Sequence, residues 1–143
     1  MKYKVSYVKP NDHFLGVTLT TTMPASGEIT LYMSTWRPGR YETGNFAKLV
    51  RNLQATQGDA AVEVEKSSLH GWTFKGAPDK ALTVSYEFYA NQFDSGNSYL
   101  DEGICYFNPV NLLLYHASEL NSPHTLEVDV PGSFKIATGL TRI

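Results

Sequence analysis

The side chains of this sequence that could do chemistry are few and lie far apart along the chain. The four histidines are His13, His70, His116 and His124, and no two of them have the spacing of a helical HExxH zinc motif. His116 and Glu119 lie three residues apart, but in a segment that we expect to be a loop. The spacing predicts scattered surface or half-buried histidines and no metal site within this chain.

An acidic pair and a single thiol are the next candidates, and neither has the neighbours that catalysis needs. Asp101 and Glu102 are adjacent, and adjacent side chains of an extended segment point in opposite directions, so we do not expect them to share a proton. Cys105 is the one cysteine, and its apolar neighbours predict a buried, unreactive thiol without a nearby base. Phosphate-binding glycine loops and GxSxG nucleophile motifs are missing. We therefore predict that this chain alone is catalytically inactive.

The densest group of functional side chains is the segment Trp36–Tyr41, which we call the corner. Pro38-Gly39 fits the central positions of a type II turn, because proline fixes φ and glycine tolerates positive φ. Such a turn brings Arg37 and Arg40 together beside two aromatic rings. One interpretation is a structural corner in which Trp36 caps the core and is mostly buried. The other is a recognition edge that meets an acidic group or a second domain. Residue types alone favour the structural interpretation.

Short strands must position these residues. Apolar and polar side chains alternate with period two, as in half-buried strands, over residues 3–7, 15–19, 29–33, 82–88 and 126–130. Residues 62–65 and 72–75 predict a hairpin, and residues 134–136 predict a last strand. A helical turn near 45–49 is expected to run into a strand near 50–57. This rhythm is typical of an all-β protein, an antiparallel β-sandwich-like domain with at most one or two short helical turns.

Composition limits the class of protein further. The chain has 143 residues, of which 42% are hydrophobic and 18% are charged, and this favours a single domain over 1–143 with a real core. The net charge is -2 and there is no basic stripe, so nucleic acid is not expected as a partner. We expect no membrane span, because no apolar run is long enough. The amino terminus does not look like a signal segment, so the compartment stays open between cytoplasm and periplasm.

Three stretches resemble the N-terminal domain of the M61 peptidases, the glycyl aminopeptidase family. The run from Trp36 to Val50 is similar to its W-x-P-G-x-Y…(D/E)-F-A-(R/K)-x-(V/I) signature. The segment from Tyr86 to Asn108 resembles Y-x-(V/F)-Y-A…L-D…F-N, and Val130 to Leu140 resembles P-x-x-W-x-(I/V)-A-T-x-L. The resemblance runs in order from about Tyr3 to Leu140, which is nearly the whole chain.

The resemblance implies a β-sandwich-like domain that precedes a thermolysin-like zinc domain with HExxH, often followed by a PDZ domain. Only the first of these is similar to this chain. The implied function is therefore a non-catalytic accessory domain of a zinc aminopeptidase. Its partner would be the catalytic zinc domain of the same polypeptide, and it would contact peptide substrate only indirectly. The cofactor, zinc, is expected in that domain and not in this chain. The alternative is a stand-alone β-sandwich binding module for a carbohydrate or protein ligand.

The sequence departs from the family pattern at two glycines. The family commonly has Arg and then an acid before Phe-Ala, where this chain has Gly44 and Asn45, and an Arg near the place of Gly96. Arg40 is the candidate replacement for that charge. The residues proposed to face the missing domain or its substrate cleft are Trp36, Arg37, Arg40, Tyr41, Tyr99, Asp101, Glu102 and Asn108. In the competing interpretation, Asp101 and Asn108 only satisfy backbone groups of loops.

Overall fold

Two sheets share one hydrophobic core in this computed structural model, which describes residues Met1–Ile143. The strands are β1 (Lys2–Lys9), β2 (Phe14–Thr22), β3 (Glu28–Tyr32), β4 (Val50–Gln57), β5 (Ala60–Ala61), β6 (Glu63–Ser68), β7 (Gly71–Lys75), β8 (Ala81–Tyr89), β9 (Tyr99–Leu100), β10 (Cys105–Tyr106) and β11 (Thr125–Asp129). The larger sheet has the order β11-β1-β2-β8-β4-β5, the smaller sheet has the order β3-β7-β6, and β9 and β10 form a separate hairpin.

Apolar and polar residues alternate along the strands, and the apolar ones form the core. Along β8, Leu82, Val84, Tyr86 and Phe88 are buried, while the residues between them are partly exposed. Each large side chain buried in this way contributes roughly 1.5–3 kcal/mol before entropy is counted. The core cluster of 22 buried residues takes members from both sheets. The predicted β-sandwich is therefore confirmed, together with the predicted hairpin of β6 and β7.

Helical structure is confined to short pieces between strands. A 3₁₀ turn at Phe46–Leu49 runs directly into β4, as the sequence predicts. The proline after Asn108 begins a single α-helical turn, α1 (Pro109–Leu112), because the fixed φ of proline suits the first helical position. A second 3₁₀ turn covers Ala117–Glu119. No helix has the length and apolar character needed to cross a membrane.

The carboxyl-terminal part differs from the expectation in two ways. Strand β11 pairs with β1 in parallel, with Tyr3 opposite Leu126, which alternation alone could not indicate. The predicted last strand at residues 134–136 is wrong, because no strand forms after β11. Phe134 instead packs its ring 5.3 Å from that of Tyr7, and Ile136 is 60% exposed. A strand needs a partner edge, and this segment pairs with none.

Candidate functional site

The corner is built on the turn that the sequence predicts. Gly39 has φ of 82°, and the Arg40 amide donates to the Arg37 carbonyl at 3.3 Å, as in a type II turn with glycine at the third position. Before the turn, the Ser34 hydroxyl donates to the Trp36 carbonyl at 2.6 Å. The corner is thus a defined loop that leaves β3 and is closed by its own hydrogen bonds.

Trp36 is not buried, so the prediction that it caps the core is wrong. Its side chain is 54% exposed. The buried side chains of this segment are Ile29, Leu31 and Met33, and β3 ends at Tyr32, so Trp36 lies in the loop beyond the strand. Tyr41 is fully exposed. The corner therefore presents two aromatic rings to solvent.

Arg37 turns back from the corner and lies against Gly96. A Cβ atom built on Gly96 would overlap the Arg37 guanidinium group, so the guanidinium occupies the space that any other residue would fill. The Arg37 Nη1 donates to the Pro38 carbonyl at 3.4 Å, and the buried Nε has no partner. Hydrogen bonds from Asn97 and Gly96 are the main causes that lower the pKa of Asp94, and the positive charge of Arg37 adds a smaller contribution in the same direction. Arg40 instead pairs with Glu42 at 3.3 Å.

The loop beneath Arg37 is held by its own polar side chains. The Asp94 carboxylate accepts from the Asn97 side-chain amide at 2.7 Å and from the Gly96 amide at 2.8 Å. These hydrogen bonds hold the pKa of Asp94 below its usual range, and the bond from Asn97 has the larger effect. The Asn111 side-chain amide donates to the Gly96 carbonyl at 2.5 Å. Gly96 is therefore fixed from both sides, which gives Arg37 a rigid surface.

Tyr99, Asp101 and Glu102 belong to a second group of residues. The Tyr99 ring lies 5.3 Å from that of Phe93 and 5.7 Å from that of His13. A hydrogen bond with Asp101 is the main cause that raises the pKa of Tyr99. Glu102 is exposed and forms no ion pair. None of these three residues forms a hydrogen bond or an ion pair with Arg37 or Arg40.

Asp101 and Asn108 also do what the competing structural interpretation predicts. The Asp101 carboxylate accepts from the amides of Gly103 at 2.8 Å and Ile104 at 2.7 Å. These bonds hold the pKa of Asp101 below its usual range. Asn108 caps α1, because its side-chain oxygen accepts from the Val110 amide at 3.1 Å. The backbone roles of both side chains are satisfied within this chain.

The histidines do not form a metal site. His13 donates from Nδ1 to the Leu100 carbonyl at 2.5 Å, and His124 donates from Nε2 to the Glu119 carbonyl at 3.1 Å. His116 is bonded to Ser118. No three side chains of the types His, Cys, Asp and Glu are grouped so that they could hold an ion.

Comparison with known proteins decides the family. The family model of the peptidase M61 N-terminal domain matches residues 2–143. The chain belongs to the M61 peptidase N-terminal domain family. Its fold is similar to part of a crystal structure of an aminopeptidase N family protein from Idiomarina loihiensis, with a TM-score of 0.81 and 26% sequence identity. That likeness covers 92% of this chain and 22% of the other, so this domain spans about a fifth of that protein. No curated protein matches the sequence.

Sequence reasoning missed the loop that supports Arg37. In the sequence, Gly96 stood out only as a departure from the family pattern. Its contact with Arg37 depends on how two distant loops pack, which the sequence does not indicate. Asn111 carried no signal at all, because a single asparagine near a proline fits many turns. Among the residues of this loop, only Asp94 has a local sequence pattern that predicts its role. An Asp two residues before a Gly favours a turn in which the carboxylate accepts from a backbone amide.

Proposed function

We propose that this domain is a non-catalytic accessory domain of an M61-type zinc aminopeptidase, and that it packs on the catalytic domain of the same polypeptide and helps to shape the substrate cleft. Family membership supports the peptidase context. The share of the Idiomarina loihiensis protein that the domain covers, 22%, supports a larger protein around it. Zinc and the peptide-cleaving residues then belong to the neighbouring domain.

The observation that carries this proposal is the exposure of the corner. Trp36 is 54% exposed and Tyr41 is fully exposed. Aromatic residues are enriched in the cores of protein interfaces, so two exposed aromatic side chains on one loop are typical of a surface that a partner covers. Arg37 anchors the same loop on Gly96, so the backbone that carries the rings is fixed before any partner binds. A preformed loop loses little backbone entropy when it is covered.

The contact face is proposed to include Trp36, Arg40 and Tyr41 at its centre. Tyr99, Asp101, Glu102 and Asn108 remain candidates for the same interface or for the cleft wall. Because Asp101 and Asn108 already satisfy backbone groups, they would act there as rigid supports for their loops. Glu102 is the member with a free carboxylate, so it can meet a cation of the partner.

The test replaces the two exposed rings in the longer gene product. Its sequence beyond Ile143 should contain an in-frame HExxH with a downstream Glu, and a stop codon there would favour the stand-alone binding module. In the zinc-loaded protein, Trp36→Ala/Tyr41→Ala should lower kcat/KM for aminoacyl reporter substrates by about 10-fold or more, since small shifts of cleft walls are costly.

Leu69→Ala is the matched control. Leu69 is 63% exposed and lies in the turn between β6 and β7, which belongs to the same sheet as β3 but not to the corner. It removes a similar exposed apolar group without touching the corner. Wild-type activity for the ring variant and the control alike would contradict the proposed contact face, whereas loss in both would indicate a general stability effect.

A further inference from the structure

An apolar groove lies between three segments of the chain. Its volume is about 870 Å³. One wall is α1 with the residues directly after it, the second is β11 with the loop before it, and the third is formed by Leu140, Thr141 and Ile143. No Asp, Glu, Lys or Arg side chain lines the groove, so its surface suits an apolar occupant and not a charged ligand.

Large apolar side chains of all three walls are exposed in this groove. Val110 of α1 is 43% exposed, Leu120 before β11 is 62% exposed, and Leu140 is 59% exposed. Of the other lining residues, Leu114 is buried and Leu126 packs against the core, so the groove is continuous with the hydrophobic core. A contiguous apolar surface of this kind is typical of an interaction site.

Two polar side chains of the groove already have partners within the domain. The Tyr3 hydroxyl donates to the Leu114 carbonyl at 2.8 Å, and His124 donates from Nε2 to the Glu119 carbonyl at 3.1 Å. An occupant can therefore cover both groups without supplying a hydrogen bond to either. This favours an apolar chain segment over a polar ligand.

The groove meets the corner at Ser34. This residue lines the groove, and its hydroxyl donates to the Trp36 carbonyl at 2.6 Å. The groove and the exposed rings of the corner are therefore adjoining surfaces. A segment that leaves Ile143 through the groove can continue towards the domain that covers the corner.

The position of the carboxyl-terminal wall identifies the occupant. The family model is that of an N-terminal domain, so in the proposed function the rest of the polypeptide follows this chain. Because Leu140 and Ile143 line the groove, that polypeptide begins at the groove's own wall. An extended chain spans at most about 3.3–3.6 Å per residue, so a few residues can cross the groove. Tethering gives them an effective concentration on the order of mM, which favours them over a free ligand or a second copy.

We propose that the groove is the docking site of the segment that directly follows Ile143 in the longer gene product, and that apolar side chains of this segment fill it. The proposal rests on the proposed function, because it requires the polypeptide that carries the catalytic domain. The corner meets the catalytic domain itself, whereas the groove holds the connection between the two domains. Together the two contacts set the relative orientation of the domains.

Photo-crosslinking in the longer gene product identifies the occupant. Leu120→p-benzoylphenylalanine places the reactive group in the groove. Val8→p-benzoylphenylalanine is the control, because Val8 is 48% exposed but lies farther along β1 than Tyr3 and does not line the groove. After irradiation, mass spectrometry of peptides should find the crosslinks from position 120 within about the first 20 residues after Ile143, a length that reaches beyond the groove. Position 8 should give no crosslinks to that segment.

Other crosslinking results would contradict the proposal without deciding the proposed function. Crosslinks from position 120 to later parts of the catalytic domain or to a second copy of the chain would overturn it, as would no crosslink at all. The proposed function is judged separately by hydrogen exchange of the corner. A protected corner combined with any of these results would leave the accessory role standing and remove only the groove contact. A stop codon directly after Ile143 would overturn both.

A matched pair of valine variants tests whether apolar contact holds the segment. Val110→Glu introduces a carboxylate into the groove, and Val8→Glu introduces one at similar exposure outside it. In the longer gene product, Val110→Glu should lower the yield of the crosslink from position 120 by about 10-fold or more, since an unpaired charge is costly to bury. Val8→Glu should leave the yield unchanged. An unchanged yield in Val110→Glu would overturn the apolar docking, and if that variant does not fold, the comparison of positions 120 and 8 decides alone.

Discussion

The guanidinium group of Arg37 occupies the space above Gly96 in which a side chain would otherwise lie. This contact ties the corner, which leaves β3, to the loop that follows β8, although the two residues are far apart in the sequence. The positive charge beside Gly96 therefore comes from Arg37. Arg40, which the sequence suggested as the replacement, pairs with Glu42 instead.

The first prediction concerns this contact. Gly96→Ala should push the Arg37 side chain outward and lower the free energy of unfolding by about 1 kcal/mol, at the low end of overpacking costs because the displaced atoms end a flexible side chain. In a chain that already carries Arg37→Ala, Gly96→Ala should lower the free energy of unfolding by much less. A double-mutant cycle on urea midpoints measures the coupling. Additive effects of the two changes would show that Arg37 and Gly96 do not interact.

The two tryptophans give a second, matched prediction. Trp72 is 7% exposed and belongs to the core, whereas Trp36 is 54% exposed. Trp72→Ala should therefore lower the free energy of unfolding by about 3–5 kcal/mol. Trp36→Ala should lower it by less than about 1 kcal/mol. Urea unfolding of both variants measures the difference. A similar large cost for both would mean that Trp36 is buried in solution.

The exposure of Trp36 shows what alternation can and cannot predict. The strand was predictable because Ile29, Leu31 and Met33 bury one face, but β3 ends at Tyr32, so alternation does not extend to Trp36. The expectation of burial rested on residue type, and tryptophan is only a weak guide to full burial.

Long-range partners were the part that the sequence could not supply. The parallel pairing of β11 with β1 and the seat of Arg37 on Gly96 both join distant segments, and neither leaves a local pattern. The failed strand at residues 134–136 has the same cause, since a strand depends on an available edge. Local turn chemistry was predictable by contrast: Pro38-Gly39 forms the expected turn.

A third prediction concerns alkaline pH. Burial raises the pKa of Tyr3 to about 12 from 10.0, and its hydroxyl donates to the buried Leu114 carbonyl at 2.8 Å. Below pH 10 the phenol is neutral in both the folded and unfolded states. Between about pH 10 and 12 the unfolded chain loses a proton that the folded chain keeps, so this group lowers stability by about 1 kcal/mol per pH unit.

Tyr3→Phe should remove that contribution to the pH dependence. The variant should be less stable at neutral pH by about 1 kcal/mol, because the Leu114 carbonyl loses its donor, but its urea midpoint should fall less steeply between pH 9 and pH 11. Tyr86 has its pKa raised in the same direction by burial, so some slope should remain. Equal slopes for the variant and wild type would show that Tyr3 ionises as freely in the folded chain as in the unfolded chain.

The single thiol provides a fourth prediction. Burial raises the pKa of Cys105 to about 11 from 9.0, which lowers the fraction of thiolate, the reactive form, by about 100-fold at pH 8. Iodoacetamide should therefore modify Cys105 at least that much more slowly in the folded chain than in urea. Mass spectrometry over time measures both rates. Comparable rates would mean that the thiol is accessible and not shielded by its apolar neighbours.

Hydrogen exchange of the corner tests most directly the proposal that it packs on a catalytic domain. The amides of residues 36, 37 and 39–42 should be compared in this chain alone and in the longer gene product under the same conditions, with the β6–β7 turn around Leu69 as the internal reference. If the corner is covered, its exchange should slow by at least about 10-fold in the longer protein while the reference is unchanged, because covered amides exchange only through rarer opening. Identical exchange of the corner in the two proteins would contradict the proposed contact.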